Sequence, residues 1–514
     1  MSAKHHTAED LTGRSRLGRN VTFAWGGYMV NIAAGFIMPR LISDRLGQTT
    51  LGIWDFSWGI VTYFSLVQLN LGSSINRYVA AHRTAKDRDG LCRSVSTVGL
   101  ALNISAALAA LLTLAAFFWI VPLFASRLGS ELSTARWVVL CLGFEIAIGL
   151  LFTVYGGVLA GCHRWDIHNT VSVITYAVMA VGMIATLLGG GGLVAVALVH
   201  CLSTSGGEVA RMFLAKRVCP ELRINYRQAT WTTFLEQARF SAKSLIPRLA
   251  EMVSGQSLVY LLTLYFGPAM LAVYSRSQNL VRQGSTLAAK FGFILVPTAS
   301  SMHSASDHAS LRQTFRDSVR QIALLGMPMS VTLGVAGDYV IRLWMGAAYV
   351  YPGLMTIMAI AAFPAWVQEP IWSILTGMNQ HGRVAWAKFV AACVAALTLI
   401  VAVTMFGAGL RGAAIAFLLP QLIVDVAITP ALACRRIGLS VRSYYADVLL
   451  KPFLCSLPYG ILLFLTTQTF GEHLNLAIML GLSSLLALAG IYWFFVFPPA
   501  LRYGLRAKLG LALT

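Results

Sequence analysis

Four cationic side chains lie inside long apolar segments of this sequence, namely Arg248, Arg276, Arg282 and Lys290. A charge in hydrocarbon costs roughly 3 kcal/mol even on insertion scales, so it normally faces a wet cavity and marks a transport path. Guanidinium groups bind phosphate oxygens through two parallel hydrogen bonds. The sequence therefore predicts an intramembrane cavity that handles an anionic solute.

The segment 270–299 carries most of this chemistry. Its polar residues recur at spacings of three and four, which puts them on a broad face of one helix: Ser275, Arg276, Gln278, Asn279, Arg282, Gln283, Thr286 and Lys290. At 1.5 Å per residue, Arg282 falls roughly 18 Å from the outer end, near mid-membrane. We expect Arg276, Gln278, Asn279 and Arg282 to contact substrate. Alternatively, the two arginines pair with carboxylates and hold helices together, and Lys290 snorkels to the interface.

The preceding segment, 244–267, adds Arg248 and Glu251, three residues apart on one face. Arg248 is a candidate substrate contact and Glu251 a candidate ion-coupling group. An internal ion pair, or an interfacial anchor role for Arg248, is equally open. In the first two segments, Asn31 and Asp55 are the matching substrate-binding candidates, and Trp58 shares a helical face with Asp55.

Ion coupling needs a carboxylate whose protonation or sodium occupancy differs between two states of a carrier. Besides Asp55 and Glu251, the acids within apolar segments are Glu145, Glu208, Asp338, Glu369 and Asp425. Glu145 is the leading candidate because it is mid-span and has no basic residue near it in sequence. A structural, hydrogen-bonded acid is the competing interpretation.

Composition sets the class of protein. A hydrophobic fraction of 57%, only 11% charged residues and a mean hydropathy of +0.70 exclude an ordinary soluble globule. The net charge of +19 lies mostly in short loops, where anionic headgroups account for it, so no nucleic-acid partner is expected. The eight cysteines form no CxxC pair, and neither metal nor cofactor is indicated.

Fourteen apolar segments are long enough to span a bilayer, which takes about 20 residues each. They are 20–43, 51–75, 94–124, 137–161, 170–189, 192–214, 244–267, 270–299, 319–343, 353–377, 384–407, 411–433, 449–469 and 474–497. Most Lys and Arg residues fall in alternate loops, which predicts that both termini are cytoplasmic. The fold class is therefore an all-α polytopic membrane protein.

The chain repeats internally. The stretch from Leu46 to Trp54 aligns with Phe266 to Tyr274 at an offset of 220 residues, and Asp87 then aligns with Asp307. Leu159-Ala160-Gly161 matches Leu375-Thr376-Gly377 at an offset of 216. By this alignment Asp55 is a plausible partner for Arg276. Two parallel six-helix repeats are expected to form two lobes around a central cavity.

The repeat divides the chain into four parts. They are an N-terminal lobe over 1–214, a cytoplasmic amphipathic linker over 215–243, a C-terminal lobe over 244–434, and a helix pair with a cytoplasmic tail over 435–514.

At this point the chain resembles the MOP exporter superfamily, and within it the bacterial polysaccharide flippases of the O-antigen and exopolysaccharide type. The resemblance rests on the two six-helix halves, the further pair, and the residues Gly47, Leu51, Gly52 and Trp54 followed by Asn76-Arg77-Tyr78-Val79. It implies a multi-pass protein of the bacterial inner membrane that flips polyprenyl-diphosphate-linked oligosaccharide outward by alternating access. Membrane lipids and the polysaccharide polymerase machinery are the implied partners. Coupling to H⁺, to Na⁺ or to the membrane potential stays open.

Rival functions use the same scaffold. A lipid II flippase would need the same cavity chemistry, and a multidrug or organic-cation antiporter would need buried acids without competing arginines. A membrane enzyme would need external loops with catalytic groups, and no nucleophile–base or phosphate-loop pattern occurs. We therefore expect a protein that is not an enzyme.

Overall fold

A computed structural model describes residues 17–68, 72–242, 245–470 and 474–492 of the chain. Every regular element in these ranges is a helix, as expected where lipid leaves no water to satisfy backbone groups. The chain forms two compact units, Met1–Ala272 and Val273–Thr514. The first unit thus includes the segment 245–272, and the lobe boundaries drawn from the sequence stay predictions.

The first unit contains nine helices and the start of a tenth. They are α1 (Leu17–Leu46), α2 (Gln48–Phe64), α3 (Gly72–Thr84), α4 (Arg88–Ala115), α5 (Ala125–Leu128), α6 (Leu132–Gly161), α7 (Trp165–Leu188), α8 (Leu193–Val218), α9 (Trp231–Ala242) and α10 (Leu245–Ser304). Gly267 breaks α10, because its φ of 82° lies outside the helical region.

The second unit continues with the rest of α10 and eight further helices. They are α11 (His308–Met345), α12 (Leu354–Gly377), α13 (Gly382–Phe406), α14 (Leu410–Ile423), α15 (Thr429–Ile437), α16 (Val441–Ser443), α17 (Lys451–Phe470) and α18 (Leu474–Ile491). The last two helices, α17 and α18, pack on α11. There the hydroxyl of Thr332 on α11 lies 2.7 Å from the hydroxyl of Tyr459 on α17.

Helices lie at each of the fourteen predicted spans, of which positions 69–71, 244 and 493–497 fall outside the described residues. Nine helical stretches of the described chain are long and apolar enough to cross a membrane. Two of them, Arg88–Gly161 and Met252–Ser304, are long enough for two passes each. The remaining predicted spans lie on α1, on α2 with the start of α3, and on α18. The all-helical polytopic class is confirmed.

Backbone conformation shows the internal repeat directly. Three turn positions of the first half have positive φ values that recur at the predicted offsets of 220, 220 and 216 residues. The pairs are Gly47 (92°) with Gly267 (82°), Lys86 (55°) with Ser306 (56°), and His163 (55°) with Asn379 (56°). Because non-glycine residues adopt positive φ uncommonly, the recurrence of such turns supports a duplication.

Helix starts repeat as well. Asp87 caps α4, and its carboxylate accepts a hydrogen bond of 2.8 Å from the N–H of Gly90. Asp307 caps α11 in the same way, accepting 3.0 Å from the N–H of Ser310. Hydrogen bonds to a carboxylate favour its ionised form. The bond from Gly90 is the main cause that lowers the pKa of Asp87, and hydrogen bonding from Ser310 is the main cause that lowers the pKa of Asp307.

The two equivalent hairpins touch within the first unit. The side-chain amide of Gln48 donates to the carbonyl of Ala269 at 3.2 Å. A Cβ atom added to Gly52 would lie 1.8 Å from the carbonyl oxygen of Pro268. Only glycine therefore permits the backbones of α2 and α10 to approach this closely.

We predict that Gly52→Ala lowers the melting temperature of the purified protein, because backbone atoms must move apart and overpacking typically costs about 1–3 kcal/mol. Gly206→Ala on α8 is the matched control, since nothing lies within 4 Å of its added Cβ. That control should hold or gain stability, because alanine is the better helix former. Equal melting temperatures for both variants, measured by fluorescence-detected size exclusion, would refute the close approach.

Candidate functional site

A polar cavity of about 420 Å³ lies inside the first unit. Its walls come from α2, α6, α7 and α8, which are otherwise apolar helices. The side chains that could do chemistry in it are Glu145, Ser172, Tyr176, His200, Glu208 and Arg211. A cavity with convergent ionisable groups inside a membrane-spanning bundle is a candidate functional site.

A carboxylate–imidazole pair occupies one wall. The Oε2 atom of Glu145 on α6 lies 2.6 Å from Nδ1 of His200 on α8. Each side chain is 12% exposed. This hydrogen bond satisfies two polar groups that would be costly to bury without a partner.

Two indole rings surround the imidazole of His200. Its ring centroid lies 5.8 Å from that of Trp54 and 5.4 Å from that of Trp58, both in edge-to-face geometry. The aromatic pair on α2 therefore restricts the orientation of the imidazole ring.

A second acid–base pair lies further along α8. Arg211 forms an ion pair with Glu208, three residues earlier on the same helix. The Nη2 atom of Arg211 also donates to the Ser172 hydroxyl of α7 at 2.9 Å. The cavity thus brings two acidic and two basic side chains together on α6 and α8.

The second unit presents the predicted substrate-binding face of α10. Arg276 is almost completely buried, with 2% exposure. Arg282 is exposed, while Gln278 and Asn279 are half-buried. Of the two arginines, Arg282 is therefore the one whose guanidinium group can reach a solute. Their substrate-binding roles stay predictions.

A further ion pair joins α13 to the helix that follows α14. The ammonium of Lys388 lies 3.3 Å from the carboxylate of Asp425, which is 7% exposed. Asp425 lies in a π-helical turn, Val424–Ile428. Because the backbone is widened there, the carbonyl oxygen of Asp425 accepts a hydrogen bond of 2.6 Å from the side-chain amide of Gln368. The pair neutralises a charge that would be costly alone in lipid.

The structure changes the environment expected for Glu145. The sequence places no base near it, whereas the fold brings His200 to it from 55 residues away. Arg211 and Lys388 are also cations inside helices, in addition to the four predicted from sequence. Asp55 is half-buried on α2 and is not among the residues lining the cavity. The side chains of Asn31, Arg248 and Glu251 lie outside the described part.

One signal in the sequence could have revealed the cavity. His200, Thr204, Glu208 and Arg211 are spaced by four, four and three residues, so they form a polar stripe along α8. This spacing marks a polar face on α8, whereas the helix that this face contacts is known only from the structure. Among the described residues, no three His, Cys, Asp or Glu side chains converge as metal ligands would.

The fold defines the class of protein. The chain is similar to the solved structure of the lipid II flippase MurJ in an inward closed conformation, with a TM-score of 0.65 and 14% identity over 92% of this chain and 99% of that one. It is also similar to the inward-facing structure of a multidrug resistance MATE family transporter of the MOP superfamily. That comparison has a TM-score of 0.61 and 15% identity, and it covers 80% of this chain and 94% of the other. This is a membrane protein with the MOP superfamily fold.

Sequence comparison gives the family. Residues 61–351 match the family model described as polysaccharide biosynthesis protein, so the chain belongs to the polysaccharide biosynthesis protein family. It is also 21% identical to the uncharacterized membrane protein EpsK of Bacillus subtilis (strain 168), over 82% of this chain and 83% of that protein.

We predict that the Glu145–His200 pair behaves as one unit in stability. His200→Ala should lower the melting temperature more than the double variant Glu145→Gln/His200→Ala, because breaking a buried pair costs about 3–5 kcal/mol whereas removing both charges costs less. Thr153→Ala, which changes an uncharged residue of the same cavity, is the control. Additive losses in thermal denaturation at pH 8 would show that the two side chains do not interact.

Proposed function

We propose that this protein flips polyprenyl-diphosphate-linked oligosaccharide from the inner to the outer leaflet of the bacterial inner membrane by alternating access. Membership of the polysaccharide biosynthesis protein family is the observation that carries the proposal. A membrane protein of such a family, with short loops and no catalytic constellation recognised in its sequence, is better suited to moving a polysaccharide precursor than to making one. The proposed topology has both termini in the cytoplasm.

The cargo chemistry is consistent with the predicted binding residues. The diphosphate is its most strongly charged part, and arginine is suited to bind it. Arg282, exposed on α10 and flanked by Gln278 and Asn279, is the proposed diphosphate contact. Arg276, Arg248, Asn31 and Asp55 are the further proposed substrate-binding residues.

The driving force can come partly from charge. Moving one charge through 100 mV is worth about 2.3 kcal/mol, so a diphosphate with two negative charges gains roughly 4–5 kcal/mol on leaving an inside-negative cell. The carrier must then return without cargo. We propose that a proton held by Glu145 and His200 resets it, because that pair is buried, acid–base matched and located in a cavity. Glu251 is a second proposed coupling group.

Two other functions fit the same fold. The structural likeness to the lipid II flippase MurJ favours a related cargo with the same diphosphate. The likeness to multidrug resistance transporters of the MATE family favours organic cations. The polymerase machinery that receives flipped oligosaccharide is a proposed partner for the first function alone.

Loss of the gene should make lipid-linked oligosaccharide accumulate on the cytoplasmic face and abolish surface polysaccharide, with drug tolerance unchanged. In that strain Arg282→Ala should fail to restore polysaccharide, whereas Arg282→Lys should restore part of it, because lysine keeps the charge and loses the bidentate geometry. Lipid extraction measures the lipid-linked oligosaccharide, and surface staining measures the surface polysaccharide. Normal polysaccharide with altered tolerance to cationic drugs would assign the MATE-like function instead.

In proteoliposomes with a fluorescent lipid-linked oligosaccharide, an imposed pH gradient should accelerate flipping by the unchanged protein. Glu145→Gln should remove this acceleration and keep the response to an imposed membrane potential, because the amide cannot take up the proton. Glu131→Gln, in the connection before α6, is the matched control. If Glu145→Gln still responds to the pH gradient, coupling belongs to another residue. If transport does not respond to the membrane potential, the potential does not drive export of the diphosphate.

A further inference from the structure

An apolar groove of about 370 Å³ lies between α4 and the segment that leads into α9. Leu100, Ile104 and Leu108 of α4 form one wall, and Trp231 and Phe234 of α9 form the other. The volume is within the range of roughly 300–1,000 Å³ that small-molecule sites have. It is separate from the polar cavity around Glu145, with which it shares no lining residue.

The groove is built by directed hydrogen bonds rather than by loose contact. The N–H of Asn225 donates to the Ser96 hydroxyl at 3.0 Å, and the N–H of Thr230 donates to the Thr97 hydroxyl at 3.3 Å. The amide of Asn103 donates to the Tyr226 hydroxyl at 3.0 Å. The segment 219–242 is thereby fastened along α4, and we call it the strap.

The walls remain open toward the outside of the unit. Ile104 is 63% exposed, Leu108 is 44% exposed and Trp231 is 72% exposed. An apolar concavity of this size on a membrane-embedded helix is filled by hydrocarbon, because water gains no hydrogen bonds there. Its depth and shape thus suit an acyl chain of the surrounding leaflet.

Two exposed arginines lie close in sequence to residues that line the groove. Arg93 is exposed and lies one helical turn before Thr97. It is on the same face of α4 as Ile104, because the two residues are eleven positions apart. Arg227 is exposed two residues before the groove begins at Ala229. Glu221 pairs with Arg88 at 3.1 Å, and Glu236 accepts a hydrogen bond of 3.0 Å from the neutral Tyr78 hydroxyl. An apolar groove with two arginines close to it in sequence is complementary to an anionic amphiphile.

We infer that the groove binds one anionic phospholipid of the leaflet at this end of the bundle, with an acyl chain between α4 and α9 and its phosphate at Arg93 and Arg227. The lipid would then hold the strap against α4, because it contacts both. Interfacial arginines attract anionic headgroups and not zwitterionic ones, which gives the site its selectivity. This inference does not depend on the proposed cargo.

Native mass spectrometry of the full-length protein, purified with phosphatidylglycerol and phosphatidylethanolamine in equal amounts, tests the site. Phosphatidylglycerol should be retained preferentially, and Arg93→Gln/Arg227→Gln should reduce its retention by about fivefold per arginine. Arg217→Gln, an exposed arginine twelve residues before the groove begins at Ala229, should leave retention unchanged. Equal retention of both lipids would overturn the inference.

A second variant pair tests the groove itself. Ala101→Phe fills it, whereas Ala107→Phe adds the same side chain to an exposed position of the same helix outside it. Only the first should displace phosphatidylglycerol. Phosphatidylglycerol with brominated chains should also quench the fluorescence assigned to Trp231 by difference from Trp231→Phe. Unchanged retention of phosphatidylglycerol in Ala101→Phe would show that the lipid binds at a different site. Displacement of phosphatidylglycerol by a trace of polyprenyl phosphate would show that the groove has a different occupant.

Discussion

The constraint on which this structure depends is that charge inside the membrane must be balanced within the bundle that buries it. In the first unit Glu145 is hydrogen-bonded to His200, and Glu208 forms an ion pair with Arg211. In the second unit Asp425 is matched by Lys388. Each pair joins residues that sequence alone does not associate, or that lie one helical turn apart. The pairs fix which helix faces turn inward, and the apolar faces that remain then contact lipid.

The fold was largely predictable because two strong signals agreed. Hydrophobic length located fourteen spans, and a repeat at an offset of about 220 residues related the hairpins at Gly47 and Gly267. Both signals are read directly along the sequence, so neither requires knowledge of packing. The structure adds the reason for the hairpin motif: Gly52 sits where the backbone of Pro268 leaves no room for a Cβ.

The candidate site was predictable only in part. Glu145 could be selected because an acid in mid-span is costly and conspicuous. Its partner could not, because His200 reaches it through the packing of α6 on α8, which no sequence pattern specifies. The difference between a buried Arg276 and an exposed Arg282 is likewise a matter of helix rotation. Residue type and depth follow from sequence, whereas orientation follows from tertiary contacts.

The duplication has a consequence for how such proteins diversify. The two halves share turn geometry at three positions, yet the acid–histidine cavity lies in the first unit and the polar face of α10 with Arg282 lies in the second. The two copies thus differ in their polar side chains while they keep the same turns. A duplicated chain of this kind can change the chemistry of one half without disturbing the backbone geometry that both halves share.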